Sequence, residues 1–218
     1  MPDFAIIFDM DGVIVDTNAF HKVAIQQFCR KYGFELTDAQ LRANVYGRTN
    51  KDWLTNLFGT LSAKQLQAYA EEKEQLFREM YAPHIKPVKG LVAFLEKLVN
   101  ASIPRAIATS APRANVDFVL DKTMLGKYFD TILDESMVTH GKPNPEIYLK
   151  TALALGFPND RCIVIEDSLS GATAGVKSGS KVIGITTTHT REELTEASIV
   201  INDFDELSVS DLTNILQK

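Results

Sequence analysis

Asp9 and Asp11 stand two residues apart in Phe8-Asp9-Met10-Asp11-Gly12-Val13-Ile14-Val15-Asp16-Thr17, directly after a short apolar run. Two carboxylates brought that close repel each other, so they need a cation or a shared proton between them. Mg²⁺ suits such a place. It favours carboxylate and carbonyl oxygens and keeps water ligands that a substrate phosphate can replace. Gly12 permits a tight turn that a residue with a side chain resists. The same segment also reads more plainly as an acidic turn at the end of a strand. Beyond it lie a strand-end Thr109, a Lys142 in His140-Gly141-Lys142-Pro143-Asn144-Pro145, and the acidic pair Glu166-Asp167 closing the run Ile163-Val164-Ile165.

Strands must deliver these residues. Short apolar runs at Phe4–Phe8, Arg105–Thr109, Thr131–Leu133, Arg161–Ile165, Val182–Ile185 and Ile199–Ile201 have the length and composition of buried strands. Helical patterns lie between them. Leu91, Val92, Phe94, Leu95, Leu98 and Val99 form one wide stripe. Pro145 precedes a helix with Ile147, Tyr148, Ala152 and Leu155 as its apolar positions. Strands alternating with helices predict an α/β fold, a mostly parallel sheet covered by helices on both faces. In such sheets the ligand crevice lies beyond the carboxyl ends of the strands, where Asp9 is expected. The alternation breaks from Thr17 to about Lys86, where Phe20, Val23, Ala24 and Phe28 are helical, as is the charged run Ser62–Met80 with Leu66, Tyr69, Leu76, Phe77 and Met80. This interval reads as a helical insert, and it accounts for a length of 218 residues that fits neither one domain nor two.

Composition narrows the field. With 23 basic and 28 acidic residues the net charge is −5, which disfavours a nucleic-acid partner. The two cysteines, Cys29 and Cys162, and the four scattered histidines form no zinc-site or disulfide pattern. Neither a signal peptide nor a membrane span is legible, so the expected compartment is the cytoplasm and no membrane partner is expected.

Taken together, the motifs resemble those of the haloacid dehalogenase superfamily of phosphatases and phosphomutases, over nearly the whole chain. Asp9-Met10-Asp11-Gly12 looks like its first motif, Thr109 its second, Lys142 its third and Glu166-Asp167-Ser168 its fourth. The resemblance implies a Rossmann-like core of three α/β/α layers with a small all-helical cap inserted after the first motif. It implies Mg²⁺ as cofactor, held by Asp9, the Asp11 carbonyl and Asp167, with Glu166 either a further ligand or placed just behind them. It makes Asp9 the nucleophile, forming an aspartyl-phosphate. It makes Asp11 the acid and base at the leaving oxygen. Thr109 and the Ser110 amide contact the phosphoryl group, and Lys142 offsets its charge. Family members that displace halide lack the second aspartate, so Asp11 points to phosphoryl transfer.

The same resemblance assigns residues 1–15 and 87–218 to the catalytic core and 16–86 to the cap. Thr17 and His21 fall at i and i+4 of the first cap helix, where sugar-phosphate members commonly place Thr and His. Tyr46-Gly47-Arg48-Thr49-Asn50 looks like the cap specificity loop, with Gly47 allowing close approach and Arg48 contacting phosphate or carboxylate. Lys73 resembles a cap lysine that reaches the site, although it also reads as a solvated helix lysine among glutamates. The overall pattern is that of the β-phosphoglucomutase-like and sugar-phosphatase subgroup. The mutase holds a second phosphate with an arginine three residues after the loop glycine, and here that position is Asn50. The expected activity is therefore Mg²⁺-dependent hydrolysis of a small phosphorylated metabolite, a sugar phosphate, by a monomer, with β-phosphoglucomutase as the alternative.

Overall fold

A computed structural model describes residues 3–37, 39–41, 45, 49–129 and 131–217. The chain divides into two compact units, one formed by Met1–Asp16 with Ile85–Lys218 and the other by Thr17–His84.

The first unit is built on six strands: β1 (Ala5–Phe8), β2 (Arg105–Ala108), β3 (Thr131–Leu133), β4 (Cys162–Glu166), β5 (Lys181–Ile185) and β6 (Ile199–Ile201). Their order is β3-β2-β1-β4-β5-β6, and every pairing is parallel. The central strands β1 and β4 are buried along their whole length, which is why their sequences run apolar without alternation. The edge strands β3 and β6 are three residues long and partly exposed. Chain order reverses between β1 and β4, and this switch point is where an open α/β sheet binds its ligand.

Helices cover both faces. On one, α4 (Leu91–Asn100) packs Phe94 edge-on to Phe8, which also meets Phe129 and Phe204 at centroid distances of 5.6 and 6.2 Å. On the other, Ile147, Tyr148 and Ala152 of α6 (Glu146–Leu155) and Ala172 and Ala174 of α7 (Leu169–Lys177) pack on Ala5, Ile7, Val164 and Val182. Helix α5 (Arg113–Thr123) links β2 to β3, and α8 (Val209–Leu216) ends the chain's described elements. The α4 stripe is narrower than its sequence suggests. Leu91, Phe94, Leu95 and Leu98 are buried, whereas Val92 and Val99 are exposed. At 100° per residue those two valines lie roughly a quarter turn off the stripe's centre.

The second unit contains α1 (Asn18–Lys31), α2 (Asn50–Phe58) and α3 (Ala63–Tyr81). Its apolar core gathers Ile25, Phe28, Cys29, Leu41, Val45, Trp53 and Leu54. Ser62 and Gln65 close a capping box that starts α3. No helix among the described residues is long and apolar enough to cross a membrane.

Midway along α3, in its charged run, Lys73 and Glu74 are both buried at 4% exposure rather than solvated. The Lys73 ammonium donates to Glu74 Oε1 (2.8 Å), and its Nζ lies 3.0 Å from His21 Nδ1. The His21 ring stacks on Phe77 with centroids 3.7 Å apart. Asn50 donates its amide to Glu74 (2.9 Å) and accepts from the Trp53 indole (2.9 Å). Burial alone would raise the Glu74 pKa, but Lys73, His21 and Asn50 outweigh it and bring the group from 4.5 to about 2. A carboxyl held below its unfolded value stabilises the fold above that value and stops doing so as pH falls through the folded one. The protein should therefore lose stability between about pH 4.5 and pH 2. In Glu74→Gln we expect about 3 kcal/mol less stability at neutral pH and a flatter acid limb, measured by urea unfolding across pH. An acid limb identical to that of the wild type would exclude the ion pair as its source.

Candidate active site

Strand β1 hands Asp9 to the switch point. The Asp9 N–H donates to Ile165 O (3.0 Å), so the ladder between β1 and β4 continues one residue past the strand. The chain then turns at once. Met10 O accepts from the Ile14 N–H (2.9 Å) and the Gly12 N–H donates to Val15 O (2.7 Å). Gly12 has φ +81°, the left-handed region that side chains resist. It also leaves room. A Cβ built on Gly12 would sit 1.9 Å from Asp167 Oδ2, so the carboxylate occupies the space that a side chain would fill.

Strand β4 ends on Glu166, and Asp167 follows it. Carboxylate oxygens of Asp9, Glu166 and Asp167 lie within 4.8 Å of one another, and all three residues are buried. Lys142 reaches in from the loop before α6, donating to Asp9 Oδ1 and to Glu166 Oε1, each at 2.6 Å. Glu166 is saturated with donors. Its Oε1 also accepts from the Tyr148 hydroxyl (2.8 Å), and its Oε2 accepts from the N–H groups of Asp167 and Ser168 (3.0 Å each) and the Ser168 hydroxyl (2.9 Å). Gly171 in the first turn of α7 makes this possible, since a Cβ there would lie 1.7 Å from Glu166 Oε1.

The electrostatics follow from this crowding. Burial, and then the neighbouring Glu166 and Asp11, push Asp9 up to about 7 despite the opposing Lys142. Burial together with Glu166 and Asp9 raises Asp167 well above the carboxylate range. Glu166 is the exception. Burial would raise it, but Lys142 and its hydrogen bonds hold it low. Lys142 loses hydration, yet Asp9 and Glu166 more than restore its charge and hold its pKa well above 10.5. Ionised together, three buried carboxylates against one ammonium would carry two uncompensated negative charges, and the raised Asp9 and Asp167 express that excess. An all-oxygen donor set with that excess fits a divalent cation.

Thr109, directly after β2, is buried. Its N–H donates to Leu133 O (3.0 Å) and its Oγ1 accepts from the Ala111 N–H (3.0 Å). Ser110 beside it is exposed. Asp11 is half-buried in the turn. In the helical unit, Thr17 precedes α1 and is buried, and His21 and Lys73 are joined as described above. Gly47 and Arg48 lie outside the described residues.

Four contributors are absent from the sequence-based set: Tyr148, Gly171, Thr187 and Thr188. Tyr148 reads in sequence only as an apolar helix position, although a buried tyrosine hydroxyl demands a partner. The threonines come from the loop after β5. The Thr187 hydroxyl donates to Gly12 O (2.5 Å), and the Thr188 hydroxyl donates to Asp167 Oδ2. Their only sequence signal is a run of three hydroxyl residues, Thr186 to Thr188, at a strand end.

The chain matches the family model described as haloacid dehalogenase-like hydrolase over residues 6–185. A phosphorylated carbohydrates phosphatase from Thermotoga maritima is 33% identical over 187 residues, covering 83% of this chain and 84% of its own. A HAD hydrolase of family IA, variant 3, from Entamoeba histolytica superposes with a TM-score of 0.91 at 30% identity, covering 99% and 100% of the two chains. A β-phosphoglucomutase from Clostridium difficile superposes with a TM-score of 0.85 at 25% identity, covering 100% and 98%. The four motifs, three at strand ends and one in the loop before α6, and the extent of these matches agree: the chain belongs to the haloacid dehalogenase-like hydrolase family, grouped with its phosphoric monoester hydrolases.

Proposed function

We propose that this protein is a Mg²⁺-dependent phosphatase of a small phosphorylated carbohydrate, working through a phosphorylated Asp9. The observation that carries the proposal is the buried set Asp9, Glu166 and Asp167 gathered around Lys142 at the β1/β4 switch point. The likeness to a phosphorylated carbohydrates phosphatase supports the substrate class. Magnesium, held by Asp9, Asp167 and the Asp11 carbonyl with Glu166 behind them, would neutralise the phosphoryl oxygens when bound.

In the proposed mechanism, an Asp9 oxygen attacks phosphorus as the bond to the leaving oxygen breaks. Lys142 remains beside Asp9 and lowers the repulsion between a carboxylate and an anionic ester. The Thr109 oxygen already accepts the Ala111 N–H, which leaves its own proton to donate to a phosphoryl oxygen. Asp11 gives a proton to the leaving alcohol, then takes one from the water that attacks the phosphorus and releases Asp9. Glu166 keeps Lys142 in place, with both of its oxygens anchored by donors. The residues proposed to contact the substrate are Thr17, His21, Gly47, Arg48 and Lys73 of the helical unit and the Ser110 amide of the core.

The likeness to a β-phosphoglucomutase raises the competing mutase reading. Asn50 weighs against it. At the position where the mutase resemblance places a phosphate-holding arginine, its amide is already committed to Glu74 and Trp53.

In a phosphate-release assay across sugar phosphates, Asp9→Asn should lower kcat by at least about 10⁴-fold and Asp11→Asn by about 10²–10⁴-fold. EDTA should abolish wild-type turnover and added Mg²⁺ restore it; turnover that survives EDTA would sink the metal assignment. With β-glucose 1-phosphate the expected product is inorganic phosphate, whereas accumulation of glucose 6-phosphate would favour the mutase. Tyr148→Phe removes one of the donors to Glu166 while keeping the ring. It should cost roughly 1 kcal/mol of stability in denaturant unfolding and lower kcat several-fold with little change in KM.

A further inference from the structure

Three consecutive threonines follow β5, and their hydroxyls go to three different places. Thr186 donates to Asn202 Oδ1 (3.0 Å) beyond β6, Thr187 to Gly12 O (2.5 Å) in the turn after β1, and Thr188 to Asp167 Oδ2 beyond β4. These residues form a turn rather than an extended strand, so neighbouring side chains need not point to opposite faces. Strand β5 pairs with β4, and β4 with β1, so this turn stands beside both strand ends that carry the acidic cluster.

The consequence falls on Asp167. Its Oδ2 lies where a Cβ of Gly12 would be, 1.9 Å from that ideal position, and the Thr188 hydroxyl meets the same oxygen. Thr187 in turn secures the peptide carbonyl of Gly12. One carboxylate oxygen is thus seated between a bare backbone and a hydroxyl, and holding it fixes the direction of the other. Asp167 needs such a hold, because the like charges of Asp9 and Glu166 favour any rotamer that carries it away from them.

We propose that Thr188 is a positioning residue for the divalent cation. Its hydroxyl presets the rotamer of Asp167 before the metal arrives, from a third strand end outside the four family motifs. This inference rests on the metal reading given above. Partners that orient metal ligands typically account for a 10–100-fold difference in metal affinity.

The test is Mg²⁺ binding to the full-length chain by titration calorimetry without substrate, with thermal unfolding as the check on folding. Thr188→Val is close in shape and lacks the hydroxyl, and it should raise the Kd for Mg²⁺ about tenfold or more. Thr188→Ser, which keeps the donor, should stay within about threefold of the wild type. Thr186→Val, whose hydroxyl serves Asn202, should bind like the wild type. Wild-type affinity in a folded Thr188→Val overturns the inference, as does an equal loss in Thr186→Val, which would indicate a general loosening of the loop. If Thr188→Val does not fold, Thr188→Ala set against Thr188→Ser makes the same comparison. A wild-type chain that binds no Mg²⁺ and turns over without it overturns the metal reading itself, an outcome distinct from wild-type binding that is insensitive to Thr188.

Discussion

Lys142 donates to Asp9 and Glu166 at 2.6 Å each, while Asp167 stands within reach of both carboxylates. Burying three carboxylates with one ammonium is unfavourable for a chain alone, because desolvation penalises every charge and the two Lys142 ion pairs stand against three carboxylate–carboxylate repulsions. Much of the surrounding structure serves to hold this arrangement. The parallel pairing of β1 and β4 brings two strand ends side by side. The start of α7 supplies backbone donors to Glu166, and α6 supplies the Tyr148 hydroxyl. The loop after β5 supplies the hydroxyls that reach Gly12 and Asp167.

Close approach depends equally on what is missing. Gly12 and Gly171 each vacate the volume that a carboxylate then occupies, with a would-be Cβ less than 2 Å from Asp167 and Glu166 respectively. A side chain at either place would push apart groups that already repel. The two glycines belong to different elements and touch different acids, yet both impose the same condition on the cluster.

The helical unit shows a related solution with a different balance. Lys73 and Glu74 are adjacent, buried and mutually neutralising, with His21 and Asn50 completing the shell. Glu74 is held low, whereas Asp9 and Asp167 are driven up. A one-to-one pair in a dry setting satisfies itself. A three-to-one cluster does not, and its excess negative charge is of the kind that a cation can offset.

Sequence alone determined the strand segments and the fold class, because strands buried on both faces read as short continuous apolar runs wherever they occur. It also carried Asp9, Asp11, Thr109, Lys142 and the Glu166-Asp167 pair, since each stands at a strand end or a helix start where punctuation is legible. The division of the chain into Met1–Asp16 with Ile85–Lys218, and Thr17–His84, has its local cue in the loss of strand patterning after Thr17. Tertiary structure decided the rest. The strand order that sets Asp9 beside Glu166, the burial of Lys73 and Glu74 within a run of charges, and the recruitment of Tyr148, Gly171, Thr187 and Thr188 all depend on residues far apart in the chain. Periodicity reports which face of an element is apolar, and a motif reports what one loop carries. Neither encodes which hydroxyl or which vacant Cβ position another strand will bring to a carboxylate, because that is set only when the sheet closes.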